Sequence, residues 1–436
     1  MSLSAAPDYY SANISQRKRP LLPPPSMLSS PRQWLTYIDI LQGAVKVGCI
    51  EIEEGGKVVP FGRPSEGRDN VRISVVDEYF WTRVLLSGNL GFSEAFMMGE
   101  VRVDDLQALF IDNLSGLSNI SWLYNKTIAA VSGVWNAFAG QTHSRARLNV
   151  VASYDLSNDM YKAFLSKEMM YSCGLWGDGE GGVGGDLASG PTAGDLEAAQ
   201  RRKIQHVLRQ LRLQPGHRLL EFGCSTYDCE VDTLTLSIEQ KTLAEERIRE
   251  AGLEARIRVH LLDYRDIPRH FEHAFDALVS IEMIEHVGPK IDDRKYYNTY
   301  FRLVDFALKT RNATAVISSS TFPEHRYSEY QAEDFMRRYI WPNSALPSAS
   351  ALIDAANKTT QGRLKLHTVE NHSAHYPRTL RTWGRRFKSN VQQDAVAETH
   401  PSLRDPMEFA VFARKWEYLF AYAGAGFVKG ISAATC

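Results

Sequence analysis

Five short apolar segments alternate with helical patterns between residues 148 and 320. They are HRLLEFG (217–223), EVDTLTL (230–236), IRVHLLDY (257–264), FDALVSIE (275–282) and ATAVISSS (313–320). Strands that are apolar along most of their length and alternate with helices are typical of a parallel sheet covered on both faces. The pattern therefore predicts an α/β fold with a Rossmann-like, doubly wound parallel sheet, which binds ligands at the carboxyl ends of its strands.

The carboxyl ends of several of these predicted strands carry residues suited to binding a ligand. They are Glu221 with Gly223, Thr235, Asp263 with Tyr264, and the stretch from Glu282 to Glu285. Because the carboxyl ends of parallel strands meet at one edge of the sheet, we expect these side chains to form one site.

The connection between the first two predicted strands is unusually short. Only the six residues from Cys224 to Cys229 separate Gly223 from Glu230, whereas a parallel crossover normally takes a dozen or more, usually with a helix. Six extended residues reach only about 20 Å, close to the length of one strand. The sequence thus predicts a bare crossover, with one sheet face lacking its covering helix. It also lacks the helix N-terminus that binds anionic groups in such folds.

The chain has 436 residues, which is too long for one ordinary domain. The tail is rich in proline and serine, and the alternation of strands and helices starts only near residue 148. The predicted division is a disordered tail (1–31), an N-terminal α/β domain (32–118), a helical connector (119–147) and the doubly wound domain (148–436).

Composition excludes two classes of protein. The net charge of −1 argues against a nucleic-acid partner, since such proteins carry a basic surplus. No apolar run is long enough to span a bilayer. The five cysteines are odd in number and lack metal-ligand spacing, which suits a reducing compartment such as the cytoplasm and predicts no metal site.

A glycine-rich stretch at residues 177–195 contains the pattern GxGxxG at Gly179, Gly181 and Gly184. A dinucleotide-binding loop requires a strand before these glycines and a helix directly after them. No strand pattern precedes this stretch, and the next helical pattern begins only near Asp195. We predict a flexible insert, not a nucleotide site.

Three stretches carry residues suited to catalysis, and each has a simpler interpretation. Cys173 lies in YSCGLW, where a buried, inert thiol is the ordinary case. SIEMIEHVG (280–288) places two carboxylates at a strand end, where acids also favour a helix N-terminus. ENHSAHYPRTLRTWGRRF (370–387) contains Tyr376 and several arginines, a pattern that also fits a solvated helix.

Several motifs nevertheless follow one another in a distinctive order. They include YDLSNDMYKAFL, MMYSCGLW, LQPGHRLLEFGC, HLLDYRD, SIEMIEHVG and HYPRTLRTW, between about residues 33 and 428. Together they resemble the cyclopropane-fatty-acyl-phospholipid synthases, a family similar to the mycolic acid cyclopropane synthases, and most of all its fungal members. The resemblance implies a class I S-adenosylmethionine (SAM)-dependent methyltransferase domain and a lipid-handling N-terminal domain.

The resemblance also implies the chemistry and its residues. Methyl transfer to a cis double bond produces a carbocation, and a base then removes a proton so that the ring closes. In this family the base is taken to be a bound bicarbonate ion. The residues carried over to that site are Cys173, Glu285, Tyr376 and, where the family has histidine or glutamine, Ser318.

Ten residues correspond by motif, or by their place at a strand end, to the SAM site. They are Tyr171, Ser172, Glu221, Gly223, Cys224, Thr235, Leu236, Gln240, Asp263 and Tyr264. Asp263 is expected to accept a hydrogen bond from the adenine amino group of SAM. Gln240 is expected to form a hydrogen bond with the ribose or with the methionine part of SAM.

The implied function is cyclopropanation of unsaturated phospholipid acyl chains by an enzyme that associates peripherally with membranes. Two alternatives remain: a lipid-binding relative impaired by loss of the glycine loop, and a methyltransferase that makes methyl-branched fatty acids or sphingolipids. A homodimer is one of the oligomeric states left open. The closing residues VKGISAATC depart from the family, so an incomplete last strand is expected.

Overall fold

The computed structural model describes residues 45, 48–64, 70–111, 158–222, 229–286, 293–328, 331, 333–341 and 344–435. The chain forms two compact units. The first contains residues 45–111 and the later segments Glu333–Pro342 and Phe387–Gly426. The second contains Leu156–Ala332, Asn343–Arg386 and Phe427–Cys436. The predicted boundaries near residues 31, 118 and 147 lie outside the described residues and stay predictions.

The first unit contains a four-stranded sheet in the order β2-β1-β3-β4. Its strands are β1 (Cys49–Glu54), β2 (Lys57–Gly62), β3 (Val71–Val75) and β4 (Val101–Val103). Gly55 and Gly56 both have positive φ and join β1 to the antiparallel β2. Helix α1 (Tyr79–Met98) follows β3 and kinks at Gly88, whose φ of 53° lies outside the helical range.

The second unit contains a six-stranded sheet in the order β10-β9-β8-β5-β6-β7. Its strands are β5 (Arg218–Phe222), β6 (Glu230–Thr235), β7 (Ile257–Leu261), β8 (Ala277–Ile281), β9 (Thr314–Thr321) and β10 (Ala433–Thr435). All neighbouring pairs are parallel except β9 and β10. The predicted doubly wound parallel sheet is therefore confirmed, and the closing residues do form a short edge strand.

The strand order reverses beside β5, which pairs with β6 on one side and with β8 on the other. At such a point the connections leave in opposite directions, and a crevice opens beyond the carboxyl ends of the two central strands. Leu219 and Leu220 of β5 are both fully buried. The centre of this sheet therefore offers a rigid base for a site at its carboxyl edge.

Residues 387–426 belong to the first unit, so the last two helices lie almost wholly there, whereas the others after α1 lie wholly or mostly in the second. Nine α-helices follow α1 among the described residues. They are α2 (Asn158–Phe164), α3 (Gly185–Ala188), α4 (Asp195–Leu211), α5 (Ile238–Glu250), α6 (Asp293–Ala307), α7 (Ala349–Thr359), α8 (Tyr376–Asn390), α9 (Gln393–Thr399) and α10 (Pro406–Val428). Across the described parts of the chain, every helix is too short or too polar to span a membrane.

Side chains that alternate along β5 enter two separate cores. Leu220 packs in a cluster with Tyr300 of α6 and Ala355 of α7, whereas Leu219 packs with Val207 of α4 and Ile248 of α5. Both faces of the sheet are thus covered by helices. The expectation that the short crossover leaves one face bare is wrong, because α4 and α5 cover the face opposite α6 and α7.

Strands β5 and β6 pair in parallel despite the short connection between them. Arg218 lies opposite Glu230, and Glu221 lies opposite Thr233. Gly223 and Cys224, which were assigned to the cofactor, lie outside the described residues. The register nevertheless brings the ends of both strands to the same edge, which is what the predicted site requires.

The glycine-rich insert is ordered by ion pairs and hydrogen bonds. Asp186 of α3 is fully buried and accepts hydrogen bonds from Arg381 at 2.7 and 2.9 Å and from Arg385 at 2.9 Å. Arg378 donates to the Glu180 carbonyl at 2.5 Å and to Asp195 at 2.9 Å. The prediction that this is no nucleotide-binding loop fits the short turns found here, but the predicted flexibility is wrong, because arginines of α8 bind it at several points.

Candidate active site

Glu282 directly follows β8, at the carboxyl edge where the strand order reverses. Its φ is 51°, in the left-handed region that residues with a side chain rarely adopt. Its N–H donates to the Ser318 carbonyl at 2.8 Å, which ties this conformation to β9. Strained backbone persists where the surroundings enforce it, and it clusters at functional sites. The backbone thus turns the Glu282 side chain in a direction set by the sheet.

The Glu282 side chain is half-buried, and its carboxylate accepts two hydrogen bonds from other segments. The Tyr376 hydroxyl, at the start of α8, donates to Oε2 at 2.5 Å. The Cys173 backbone N–H donates to Oε1 at 3.2 Å. Burial raises the pKa of Glu282 above its ordinary value, while Tyr376 and the Lys203 ammonium oppose that rise. One carboxylate therefore joins the segments that carry Cys173 and Tyr376.

Glu285 carries a second carboxylate and is buried in the helical turn Ile284–His286. Its Oε1 accepts the Ser320 backbone N–H at 2.6 Å. Its Oε2 is shielded from solvent and has no well-aligned hydrogen-bond donor among the described residues, although the Ser319 side chain lies close to the carboxyl group. Burial, followed by the nearby Glu282 charge, raises the pKa of Glu285 to about 8. The site thus holds a carboxyl group with one oxygen that lacks a well-aligned donor and with a pKa near neutrality.

The segment YSCGLW is fixed between α4 and α8. Gln200 of α4 donates to the Ser172 carbonyl at 2.8 Å, and Lys203 donates to the Ser172 hydroxyl. The Thr379 hydroxyl of α8 accepts the Gly174 N–H at 3.2 Å. These bonds hold Ser172 and Gly174, the two neighbours of Cys173, to α4 and α8.

The Cys173 thiol faces its own chain. Its Sγ lies 3.4 Å from the Gly174 carbonyl, and the side chain is buried. Burial and the Glu282 charge raise the pKa of the Cys173 thiol well above its ordinary value. Because the thiolate is the reactive form of cysteine, this raised pKa favours the less reactive, neutral thiol of Cys173.

Two stacked aromatic pairs belong to the same unit. Tyr171 stacks on Trp383 of α8, with ring centroids 5.1 Å apart. Tyr376 stacks on Phe427, with centroids 4.2 Å apart and planes within 9°. Aromatic faces carry negative potential and attract cations. The segments that hold the carboxylates therefore also bring aromatic rings suited to a positively charged centre.

Residues assigned to the cofactor on sequence grounds follow β6. The Thr235 hydroxyl donates to the Gln240 side-chain carbonyl at 2.7 Å, and Ser237 caps α5 by accepting the Gln240 N–H. Leu236 between them is 73% exposed. An apolar side chain left open at a strand end, beside a helix N-terminus, fits a ligand that has both a flat ring and polar groups.

The other assigned cofactor residues lie at the ends of β5 and β7. Glu221 is buried at the end of β5. Both oxygens of Asp263 accept hydrogen bonds from Arg265, at 2.5 and 2.8 Å, which lowers the pKa of Asp263 below its ordinary value. The Tyr264 ring packs against the Tyr300 ring at a tilt of 56°, with centroids 5.9 Å apart. The lowered pKa favours the ionised form of Asp263, and this form can accept a hydrogen bond from the adenine amino group.

The residues expected to bind bicarbonate do not leave a place for it. The Tyr376 hydroxyl and the Cys173 N–H donate to Glu282, and the Ser320 N–H donates to Glu285. A further anion would meet the carboxylate of Glu282, and like charges at such a site repel. The bicarbonate site carried over from the resemblance therefore does not fit this arrangement. Ser318, assigned to the same site, contacts Glu282 through its carbonyl.

Sequence reasoning gave no specific role to three residues that organise the site. Glu282 was visible as the first carboxylate of SIEMIEHVG, but only its strained backbone shows which way the side chain points. Lys203 lies three residues after Gln200, so both occupy one face of α4. Thr379 lies three residues after Tyr376 on α8 in the same way. Helical spacing signals the shared faces, although not which segment packs against them.

Comparison with known proteins connects this geometry to a family. Residues 141–431 match the family model described as mycolic acid cyclopropane synthetase. The tuberculostearic acid methyltransferase UfaA1 of Mycobacterium tuberculosis is 33% identical over 368 residues, which cover 80% of this chain and 78% of that protein. The cyclopropane-fatty-acyl-phospholipid synthase of Escherichia coli is 32% identical over 326 residues, which cover 72% and 76%.

Solved structures agree with the fold. The cyclopropane synthase MmaA2 from Mycobacterium tuberculosis superposes with a TM-score of 0.52 at 21% identity, covering 68% of this chain and 97% of that one. A coclaurine N-methyltransferase bound to S-adenosylhomocysteine gives 0.55 at 17% identity, covering 81% and 98%. Fungal membership stays a prediction. The chain belongs to the mycolic acid cyclopropane synthetase family and is a SAM-dependent methyltransferase.

Proposed function

We propose that this enzyme converts cis double bonds in phospholipid acyl chains into cyclopropane rings. The observation that carries the proposal is the pair of acids after β8, the half-buried Glu282 and the buried Glu285. Glu285 Oε2 has no well-aligned hydrogen-bond partner among the described residues. Simple methyl transfer to an alkene leaves a carbocation that must lose a proton, and a buried acceptor supplies that step. The similarity to the Escherichia coli synthase supports the same reaction.

The SAM site would be formed by residues at the carboxyl edge of the second sheet. Leu236 and Tyr264 offer apolar surface, while Asp263 and Gln240 offer polar groups for the adenosine part. Tyr171 and Ser172 lie on the segment beside the carboxylates. SAM supplies an electrophilic methyl group on a sulfonium centre. The fit rests on the exposed Leu236 and on the ionised Asp263 at neighbouring strand ends.

The carbocation is stabilised by the surroundings and not trapped by them. Aromatic faces of Tyr171 and Tyr376 supply diffuse negative potential, and Cys173 stays a thiol of low nucleophilicity. Glu282 is held by two hydrogen bonds that point its charge towards Tyr376 and Cys173. In a dry site such fixed charges act more strongly on a developing cation than they would in water.

Ring closure requires one proton transfer. A C–H bond of the newly added methyl group breaks, its electron pair forms the third C–C bond of the ring at the cationic carbon, and the proton passes to a carboxylate. We assign that acceptor to Glu285 Oε2, since its other oxygen already accepts the Ser320 N–H. Bicarbonate has no step in this scheme.

The rate should depend on pH through Glu285. The acceptor must be ionised, and the pKa of Glu285 is raised to about 8, so turnover is expected to increase as pH rises through about 8. Glu282→Gln removes the neighbouring charge that contributes to this shift, so the pKa of Glu285 falls and the rise moves to lower pH. Initial rates of SAM consumption across pH, for both proteins, measure this. A profile that is flat through this range in the native enzyme contradicts the assignment.

Lipid analysis tests the function itself. The chain is expressed in a host that makes unsaturated phospholipids, and the lipids are extracted for mass spectrometry. Cyclopropanation is expected to add one methylene unit with loss of the double bond. Acyl chains of unchanged mass, in cells that contain the folded protein, contradict the proposal. If the acyl chains are unchanged, calorimetry with SAM shows why. A lipid-binding relative that has lost the cofactor site does not bind SAM, whereas an enzyme for another substrate does.

A second candidate function is the formation of methyl-branched acyl chains. The similarity to a tuberculostearic acid methyltransferase favours it, and it would use the same methyl transfer and the same proton acceptor. A sphingolipid C9-methyltransferase of Komagataella phaffii is more distant, with 26% identity over 266 residues that cover 57% of this chain and 51% of that protein. Retention of a double bond or a branched product in the extracted lipids would identify this activity.

The acyl substrate implies contact with a membrane surface. We propose peripheral association, with the N-terminal unit taking part in lipid handling. Co-sedimentation with vesicles of unsaturated phospholipid measures it, and vesicles of saturated phospholipid serve as the control. A homodimer stays a prediction, which the molecular mass in solution tests.

A further inference from the structure

Three side chains with metal-binding groups converge in the second unit, outside the pair of carboxylates. His206 lies on α4, and Glu370 and His372 lie on the segment that leads into α8. One ligand atom from each residue lies within 4.8 Å of the other two. Sequence spacing gave no indication of this, because His206 is far from the other two residues along the chain.

Two distances within this cluster can be compared with the spacing of ligand atoms around one bound ion. His206 Nε2 lies 2.7 Å and His372 Nε2 lies 3.3 Å from Glu370 Oε2. Two ligand atoms bound at about 2.0–2.2 Å in tetrahedral geometry stand about 3.3–3.6 Å apart, so the His372 distance fits a shared ion, and the His206 distance would lengthen by about 0.6 Å or more when an ion binds. Among the described residues, neither Nε2 atom makes a hydrogen bond of good angle, although both are shielded from solvent. Two imidazole nitrogens and a carboxylate oxygen thus face a common point.

A fourth residue orients the carboxylate. Gln210, one helical turn after His206 on α4, donates from Nε2 to Glu370 Oε1 at 2.9 Å. That bond occupies one oxygen and leaves Oε2 facing the two imidazoles. Hydrogen bonds of this kind, from outside the ligand set, hold metal-binding carboxylates in place. The imidazole rings themselves pack edge to face, with centroids 5.5 Å apart.

We propose that His206, Glu370 and His372 bind a divalent transition-metal ion such as Zn²⁺. Two imidazoles and one carboxylate are a common ligand set for this class of ion, and the fourth position of a tetrahedral site is left for water. The prediction from cysteine spacing that the chain holds no metal site did not consider histidines distant in sequence.

The ion would have a positioning role for the carboxylate site. His372 lies four residues before Tyr376. Between them, His375 accepts the Trp176 N–H at Nδ1, and its carbonyl accepts the Trp176 indole N–H, both at 3.0 Å. A metal bridge from His372 to His206 would fasten this segment to α4 on its other side. Binding of the ion does not depend on the proposed lipid chemistry, so each can fail without the other.

Metal titration of the full chain tests the site. The protein is treated with a chelator, and Zn²⁺ binding is measured by calorimetry and by elemental analysis after dialysis. We expect one high-affinity Zn²⁺ per chain, lost in His206→Ala and in Glu370→Gln. Gln210→Ala should bind about 10- to 100-fold more weakly, because it removes only the orienting bond. His367→Ala is the matched control, since this exposed histidine contacts Arg212 and lies outside the cluster.

A spectroscopic readout separates this site from incidental binding by cysteines. Co²⁺ in a tetrahedral site of nitrogen and oxygen ligands absorbs visible light, without the strong charge-transfer band that thiolate ligands produce. This absorption is expected in the native chain and in His367→Ala, and not in Glu370→Gln. Circular dichroism establishes that the variants are folded. Equal Zn²⁺ binding by the native chain and by folded Glu370→Gln, or no high-affinity binding by the native chain, overturns the proposal.

Discussion

Glu285→Gln is expected to lower the rate of cyclopropane formation by about 100- to 10,000-fold, the usual contribution of a general base. Glutamine has nearly the same shape, and its carbonyl can still accept the Ser320 N–H that Glu285 Oε1 accepts at 2.6 Å. The amide group in place of Oε2 cannot take a proton from the new methyl group. Product formation from SAM and vesicles of unsaturated phospholipid, followed by mass spectrometry, measures the loss.

SAM affinity should change little in this variant, which separates loss of the proton acceptor from loss of the site. Glu285 is not among the residues assigned to the cofactor, so calorimetry with SAM is expected to give similar values for both proteins. Glu272→Gln is the matched control, because this carboxylate is exposed in the same unit. If folded Glu285→Gln forms the cyclopropane product at a rate similar to that of the native enzyme, another group takes the proton.

The doubly wound sheet was predictable because each strand carries its own signal. Strands buried on both faces are apolar along their length, and each of the five predicted segments coincides with a strand of the observed sheet to within about three residues at either end. The edge strand β10 has no such signal. Its three residues, Ala433–Thr435, are small or polar and pair only with β9. Its pairing depends on a neighbour far away in sequence, which local pattern does not reveal.

The carboxylate site was predictable in composition but not in arrangement. Motif resemblance identified Cys173, Glu285 and Tyr376 as parts of one site, and hydrogen bonds in the structure connect Cys173 and Tyr376 through Glu282. The role of Glu282 depends on a positive φ at the end of β8. A backbone conformation of this kind is imposed by tertiary contacts, here with Ser318, and leaves no trace in residue type.

The basic pattern of α8 shows the same limit of local sequence. Arg378, Arg381 and Arg385 are spaced three and four residues apart, so they share one face of the helix. A solvated basic face was one interpretation of that spacing. In the structure this face binds the insert, where Asp186 balances the positive charge. The matching acid lies almost two hundred residues earlier, in a stretch whose glycines suggested flexibility.

Asp186→Asn is expected to destabilise the protein by about 3 kcal/mol, at the low end of the range for breaking a buried ion pair. The Asp186 side chain is fully buried, while Arg378 is 1% and Arg381 is 14% exposed. Burial tends to raise the pKa of Asp186, but the hydrogen bonds from Arg381 and Arg385 outweigh it and lower the pKa. Asparagine fills the same space without the negative charge. The positive charges of the α8 guanidinium groups then repel one another without a buried carboxylate between them. Urea unfolding followed by tryptophan fluorescence measures the change.

The effect should be local at first, because Asp186 joins the insert to α8. Limited proteolysis is expected to cleave Asp186→Asn within residues 177–195 under conditions that leave the native chain intact. Asp178→Asn is the matched control: this aspartate lies in the same insert but is exposed, and a surface change of this kind usually stays within about 0.5 kcal/mol.

The stabilisation from Asp186 requires its ionised form and its pKa is lowered, so it is present near neutral pH and is lost as pH falls through that pKa. The native chain should therefore become sensitive to the protease in acid, whereas Asp186→Asn is sensitive at every pH. Equal resistance of the two proteins at neutral pH would show that the arginines hold the insert without this charge.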